Sequence, residues 1–337
     1  MFLTLFCTVA AALATAAIGS NARAIGTTLG LLDYPDDAGG RKLHAGVTPL
    51  VGGLALALAV VAAVIITIVA GPDRGAGVDR DLARLALGVG AMFVIGVADD
   101  RFELSVRVRL AVASAVLLGL VATVPDFALD FVRFGADGRL LLLGGLVLPF
   151  TLLCLVGLLN AVNMADGKNG IVIGLALIWS AFLLRHLPPV VLPVMAAVTA
   201  ALAVLFVFNL RGRLFLGDGG SYAVSALFGL LAIEAYNHAF AEIGAEDIAI
   251  LFALPVFDTL RLVVTRLRQR TSPFHGGRDH FHHYLYARVG WPRGLYIYLT
   301  LAAVPVAGAA LWPGSGLAWL AGALIAYGAV LVWAQLR

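Results

Sequence analysis

The chain has 337 residues, of which 61% are hydrophobic and only 13% charged, with a formal net charge of +3. A soluble domain carries roughly 45–50% apolar and about 25% charged residues. One core cannot hide this apolar excess, so it faces lipid, and secreted, disordered, coiled-coil and ordinary cytosolic classes are excluded.

The predicted fold class is all-α, a polytopic membrane protein forming one domain over residues 1–337. A spanning helix needs about 20 mostly apolar residues, and eleven such runs are predicted. The first, Met1–Ile18, has no Lys or Arg before it and Arg23 after it. It reads as a retained helix with its N-terminus outside, not as a cleaved leader. A polar stretch from Asp33 to Gly53 follows, containing Arg41, Lys42 and His44. Pro49–Ala70 and Leu82–Ala98 are the next spans, and the second of these runs into Asp99-Asp100-Arg101. Val106–Val124 and Leu140–Leu159 come next, and Asn160, Asn163 and Asp166 then lead into the turn Gly167-Lys168-Asn169-Gly170. Gly170–Leu184 and Pro189–Phe208 precede Asn209-Leu210-Arg211-Gly212-Arg213 and Gly217-Asp218-Gly219-Gly220-Ser221. Ser221–Tyr236 and Ile248–Thr265 precede Ser272-Pro273-Phe274 and Arg278-Asp279-His280-Phe281-His282-His283. Leu295–Leu311 and Gly316–Trp333 complete the set. Cys7 and Cys154 both fall inside apolar runs and read as small core residues, not as a disulfide or metal pair.

Eleven crossings put alternate loops on opposite sides. One side, with the C-terminus, collects most of the 23 Lys and Arg, and by the positive-inside rule it is cytoplasmic. The same loops carry all the ordered polar motifs. A transporter concentrates its polar residues near the midplane; here they sit at one face, the layout of an interfacial enzyme acting on a cytoplasmic solute and a lipid head group. The basic residues do not cluster with aromatics, so no nucleic-acid partner is expected.

Adjacent carboxylates at a helix end can hold a hard cation or simply be a solvated cap. Asp99, Asp100 and Asp218 on one face suggest a Mg²⁺ site, open also to Mn²⁺, completed by substrate phosphates, because Mg²⁺ favours a few carboxylates plus phosphate oxygens. Glycines around Asp218 let backbone N–H groups approach an anion at a helix start. Asn160, Asn163 and Asp166, spaced by three, form one polar stripe able to bind a base, a sugar or metal-bound water. For the three histidines, contact with an anion fits better than zinc, since nothing nearby completes a tetrahedral set. If helical, His280 and His283 share a face and His282 does not. Arg41, Lys42 and His44 either pair with phosphates or anchor the inner side. His186 and His238 lie on the opposite side and carry no assigned role.

In this order and on these loops, the motifs closely resemble the polyprenyl-phosphate N-acetylhexosamine-1-phosphate transferase family. The resemblance spans roughly Asp33 to Gly290. The stretches Arg41-Lys42-Leu43-His44, Pro49 to Gly53, Ser272-Pro273-Phe274 and His280 to His283 look like the UDP-GlcNAc branch (the WecA and TagO type), and eleven spans fit that branch too. The resemblance implies that undecaprenyl phosphate attacks the β-phosphorus of a UDP-sugar at the cytoplasmic face of the bacterial inner membrane, with Mg²⁺ required and UMP released. It implies Asp218 as a metal ligand, with Asp99 and Asp100 at the lipid phosphate and metal. Asp166 and His280 join them as catalytic residues. Arg41, Lys42, His44, Asn160, Asn163, Asn209, Arg213, Arg278, His282 and His283 fall to substrate binding. A homodimer is compatible with this reading.

Two positions depart from the family pattern. Asp166-Gly167-Lys168-Asn169-Gly170 stands where the family has Asp-Gly-x-Asp-Gly, so Asn169 takes a substrate-binding place without an acid role. Leu-Arg-Gly-Arg after Asn209 replaces a common Pro-Ala-Lys, and Arg213 stands in for that lysine's charge. Another UDP-N-acetylhexosamine, such as FucNAc or QuiNAc, is the alternative donor, and a lipid-linked transporter the alternative class.

Overall fold

A computed structural model describes residues 1–35, 46–72, 75–135, 138–272, 277 and 279–336. Among these there are thirteen α-helices and two minimal antiparallel strand pairs. In chain order they are α1 (Phe2–Ser20), α2 (Ala22–Leu29), β1 (Leu32–Asp33), β2 (Thr48–Pro49), α3 (Gly52–Ala70), α4 (Ala76–Phe102), α5 (Val106–Thr123), β3 (Phe131–Val132), β4 (Leu141–Leu142), α6 (Val147–Ala165), α7 (Ile171–His186), α8 (Leu192–Leu210), α9 (Gly217–His238), α10 (Ala245–Arg268), α11 (Phe281–Val289), α12 (Arg293–Leu311) and α13 (Gly316–Gln335).

Each of the eleven predicted runs contains an α-helix. Nine of these helices are long and apolar enough to cross a membrane. Helix α7, with 16 residues, is shorter, about 24 Å at 1.5 Å per residue. Helix α9 is longer but starts with Asp218 and carries Glu234. The predicted span Leu140–Leu159 is shifted: Leu141–Leu142 pairs with Phe131–Val132 as a strand, and a 3-10 turn over Gly144–Leu146 precedes α6. The apolar run there is continuous in sequence, but Gly144 takes a left-handed φ of 52°, outside the range of a continuous α-helix. Helix α6 therefore ends later, which puts Asn160 and Asn163 inside it and Asp166 at its C-cap.

The contacts group into two compact units: Met1–Val124 with Leu187–Phe228, and Pro125–His186 with Gly229–Arg337. In the first, α8 packs on α1 and α3, and α4 packs on α3 and α5. Val60, Val89, Met92, Leu202 and Leu205 are fully buried, while Leu5, Leu13, Val69, Leu87 and Val94 are exposed, as a lipid-facing surface requires. Glycines bring backbones together: a Cβ on Gly53 would overlap the backbone of Gly219 and Gly220, and one on Gly96 would overlap the carbonyl of Asp218. Small residues at such crossings are the usual way membrane helices approach closely.

In the second unit α10 packs on α6, α12 and α13, and α12 also packs on α7 and α11. Pro255 lies inside α10, so the carbonyl of Leu251 loses its usual i+4 donor. The buried Trp179 of α7 replaces it, donating Nε1–H to that carbonyl at 2.5 Å. In an apolar surround such a carbonyl cannot be left bare.

Candidate active site

The acids of the first unit sit in the last turns of α4. A helix C-terminus repels carboxylates, so both need partners. Asp99 is 6% exposed; its Oδ2 accepts from Arg109 Nη1 at 2.8 Å and from the hydroxyl of Tyr222 at 3.1 Å. Asp100 turns to the start of α9. Its Oδ1 accepts the N–H of Asp218 at 3.1 Å and its Oδ2 the N–H of Gly219 at 3.2 Å. A carboxylate from another helix thus caps the free N–H groups of α9, where the helix dipole also favours negative charge. Gly217 is required at the entry: its φ is 73° and a Cβ there would lie 2.8 Å from Asp100 Oδ2.

The turn before α9 is fixed by backbone. Gly52 and Gly53 donate to the carbonyls of Phe215 and Leu216 at 3.0 Å each, and Phe215 donates to Pro49 at 2.9 Å. The Pro49–Gly53 motif is therefore the strut that sets Asp218 beside Asp100. Asn209 closes the same turn: it is buried, and its Nδ2 donates to the Leu214 carbonyl at 3.0 Å. Arg213 is exposed.

In the second unit the residue that organises the imidazoles is Asp258 of α10. Its Oδ1 accepts from Arg261 Nη2 at 2.7 Å and from Tyr327 OH at 2.9 Å. Its Oδ2 accepts the N–H of Phe281 at 3.2 Å and faces His280 Nδ1 at 3.4 Å. His280 is the N-cap of α11 with extended backbone, so the helical spacing expected for the histidines does not hold. All three rings gather instead: His280 stacks on His282 at 5.4 Å with planes 15° apart, and His282 lies 4.3 Å from His283. His282 is 2% exposed, and its Nε2 has no hydrogen-bond partner among the described residues. It stands against Gly167, where any Cβ would overlap the ring. Burial, with the neighbouring charges of His283 and His280, holds the His282 imidazole well below its ordinary pKa. Burial opposes ionisation of Asp279, but its hydrogen bond from Arg266 at 3.0 Å prevails and keeps that carboxyl below the usual range.

Around the α6–α7 turn, Asn160 spends its Nδ2 on its own helix, donating to Val156 at 2.8 Å. Asn163 and Asp166 are half-buried. Lys168 Nζ lies 4.0 Å from the centre of the Tyr286 ring, and the main-chain carbonyl of Asn169 accepts from Trp291 Nε1 at 3.1 Å. Arg41, Lys42, His44 and Arg278 lie outside the described residues.

Four site-forming residues were missed in sequence: Arg109, Tyr222, Arg261 and Tyr327, together with the hub function of Asp258. One signal was available. Asp258 and Arg261 are opposite charges three apart in an apolar run, and charged residues in a run that could span a membrane are costly and therefore a mark of function. Nothing local distinguishes Tyr222 or Tyr327.

No three His, Cys, Asp or Glu side chains among the described residues stand close enough together to hold a metal. The oxygens of Asp99 and Asp100 are hard donors with lone pairs remaining, and Asp218 adds a third carboxylate at the same helix start. The three do not form a closed cage, but one or two of these carboxylates are what Mg²⁺ takes from a protein when phosphate and water fill the rest of its shell.

Comparison with known proteins identifies relatives over most of the chain. The profile of glycosyl transferase family 4 matches residues 82–236. The "Undecaprenyl-phosphate alpha-N-acetylglucosaminyl 1-phosphate transferase" of Salmonella typhi is 30% identical over 301 residues, 85% of this chain and 77% of the relative. The protein of that name from Escherichia coli (strain K12) matches to the same extent. The "Probable undecaprenyl-phosphate N-acetylglucosaminyl 1-phosphate transferase" of Bacillus subtilis (strain 168) is 26% identical over 270 residues, 78% of this chain and 72% of the relative. With residues 82–236 bracketing both Asp99-Asp100 and Asp218, the chain belongs to glycosyl transferase family 4 as a multi-pass membrane protein.

Proposed function

We propose that this protein transfers GlcNAc 1-phosphate from UDP-GlcNAc to undecaprenyl phosphate. An oxygen of the lipid phosphate attacks the β-phosphorus, the bond from that phosphorus to the bridging oxygen breaks, and UMP leaves with the electron pair. The observation that carries the reading is the joining of Asp99-Asp100 to the start of α9, in a chain 30% identical to transferases of this name.

The chain's own groups do positioning and electrostatic work, which is most of what phosphoryl transfer asks of a protein. A phosphate monoester has its second pKa near ~6, so the lipid nucleophile is already mostly dianionic at neutral pH. Asp99, engaged by Arg109 and Tyr222, fits a positioning role better than proton abstraction. Asp100 holds the start of α9 through the N–H groups of Asp218 and Gly219, and so fixes the place of the Asp218 side chain. Asp218, with Asp99 and Asp100, holds Mg²⁺, which when bound neutralises charge on the diphosphate. His280, His282 and His283 donate to diphosphate and sugar oxygens, and the unpartnered Nε2 of His282 is ready for such a contact. Asn160, Asn163 and Asp166 take the nucleotide. The site faces the cytoplasm at the bacterial inner membrane, with the N-terminus outside and the C-terminus inside.

A second donor sugar is favoured by one observation: Asn169 and Lys168 replace the family's usual acid and its neighbour, and Lys168 is held over Tyr286. Purified protein with Mg²⁺, undecaprenyl phosphate and radiolabelled UDP-GlcNAc should release UMP and form butanol-soluble label. A panel of UDP-sugars in the same assay identifies the donor, and absence of UMP with every one of them removes the enzyme reading.

A further inference from the structure

Asp258 is absent from every motif that defines the site, yet its carboxylate meets Arg261, Tyr327, His280 and the backbone of Phe281. Three consecutive residues entering α11 are held by it and by Arg261. Arg261 Nη2 donates to the Asp279 carbonyl at 2.5 Å. His280 Nδ1 faces Asp258 Oδ2, and Phe281 gives the same oxygen its backbone N–H. Arg261 Nε and the Asp258 carboxylate also share the Tyr327 hydroxyl, at 3.0 and 2.9 Å. Asp258 is 6% exposed and lies in a helix long and apolar enough to cross the membrane. An ion pair there is expensive to desolvate and is weak evidence of stability. Capping α11 alone would need only a neutral acceptor, such as the Ser, Thr or Asn common at N-caps.

We propose that Asp258 is a positioning residue for the transfer reaction, acting through His280. It accepts the proton on His280 Nδ1, fixes the plane and tautomer of that ring, and so commits Nε2 to the substrate side of the histidine stack. The ring nitrogen that carries hydrogen is set by the bond the other nitrogen makes. A carboxylate behind a working histidine is a recurrent way to hold its orientation. Arg261 and Tyr327 hold Asp258 in place by filling Oδ1, leaving Oδ2 to the imidazole and the Phe281 N–H. The importance for turnover rests on the transferase reading above; the proton on Nδ1 does not.

Two measurements on the full-length protein in detergent test this. The first needs no activity. In protein labelled with ¹⁵N-histidine, the His280 signals, assigned by their loss in His280→Gln, should show a protonated Nδ1. An unprotonated Nδ1 overturns the proposal even if the enzyme is active, and a protonated one supports it even if the donor sugar has been misjudged. The second is UMP release by Asp258→Asn, His280→Gln and the double variant. Asp258→Asn should lower kcat roughly 10–100-fold, the usual cost of losing the partner behind a working histidine, with KM for the UDP-sugar changed less than about twofold. The double variant should be no slower than His280→Gln alone. Losses that multiply in the double variant, or a kcat restored once the folded fraction is accounted for, would reduce Asp258 to a structural cap and overturn the proposal.

Discussion

At Asp100 the ordering partners are backbone: two N–H groups of α9, reached because Gly53, Gly96 and Gly217 let three chain segments touch. At His280 they are side chains: a carboxylate, a guanidinium and a phenol arranged over α10 and α13. Backbone ordering survives changes of side-chain identity nearby but tolerates no added Cβ. Side-chain ordering accepts small shifts in packing but fails when one partner is neutralised. The two polar regions should therefore respond to mutation in opposite ways.

The largest effect is expected at Asp218. Asp218→Asn should cut UMP release by about 10³-fold or more while the protein still folds, as read by its melting in detergent; near-normal turnover would contradict a metal-holding role. Asp99→Asn should come next, about 10²-fold down at every pH tested. Recovery of activity in alkaline buffer would instead make Asp99 a proton acceptor. Gly96→Ala and Gly53→Ala probe the backbone contact itself, where overpacking costs about 1–3 kcal/mol. Both should melt earlier than Gly119→Ala, whose Cβ would meet open space; equal melting would deny that the close approach matters.

The smallest effect concerns His282. Its folded-state pKa is depressed, so near pH about 6.5 the unfolded chain takes up a proton that the folded chain refuses. The stabilisation is present above that pH and is lost as pH falls below it, with a slope of at most one proton. Melting recorded from pH 7.5 to 5.5 should fall more steeply in the native protein than in His282→Asn. Parallel curves would show that the ring is not held neutral by burial. A reporter fused after Arg337 should read cytoplasm, and an external signal would break the proposed sidedness.

Much of this was legible in one dimension, for reasons that differ by residue. The apolar runs declared the helices because a bilayer sets a length that a linear window can measure. Asp99-Asp100 stood out because charge after an apolar run is anomalous, and Asp218 because glycines surround it. The histidines were visible as a group, but their arrangement was not, since His280 precedes the helix that carries the other two. The Pro49–Gly53 motif was visible and its use was not: it has no reactive atom, and its role as a strut exists only against Phe215 and Leu216.

The amino-acid order alone thus determined that the chain lives in lipid, roughly where its helices run, and which acids and imidazoles stand beside apolar runs. These are properties of local composition and of distance along the chain. Tertiary structure decided which carboxylate meets which donor: Asp100 with α9 across 118 positions, Asp99 with Tyr222 across 123, and Asp258 with Tyr327 across 69. Such pairings follow from helix crossings and backbone clearance, and no window of sequence contains both partners.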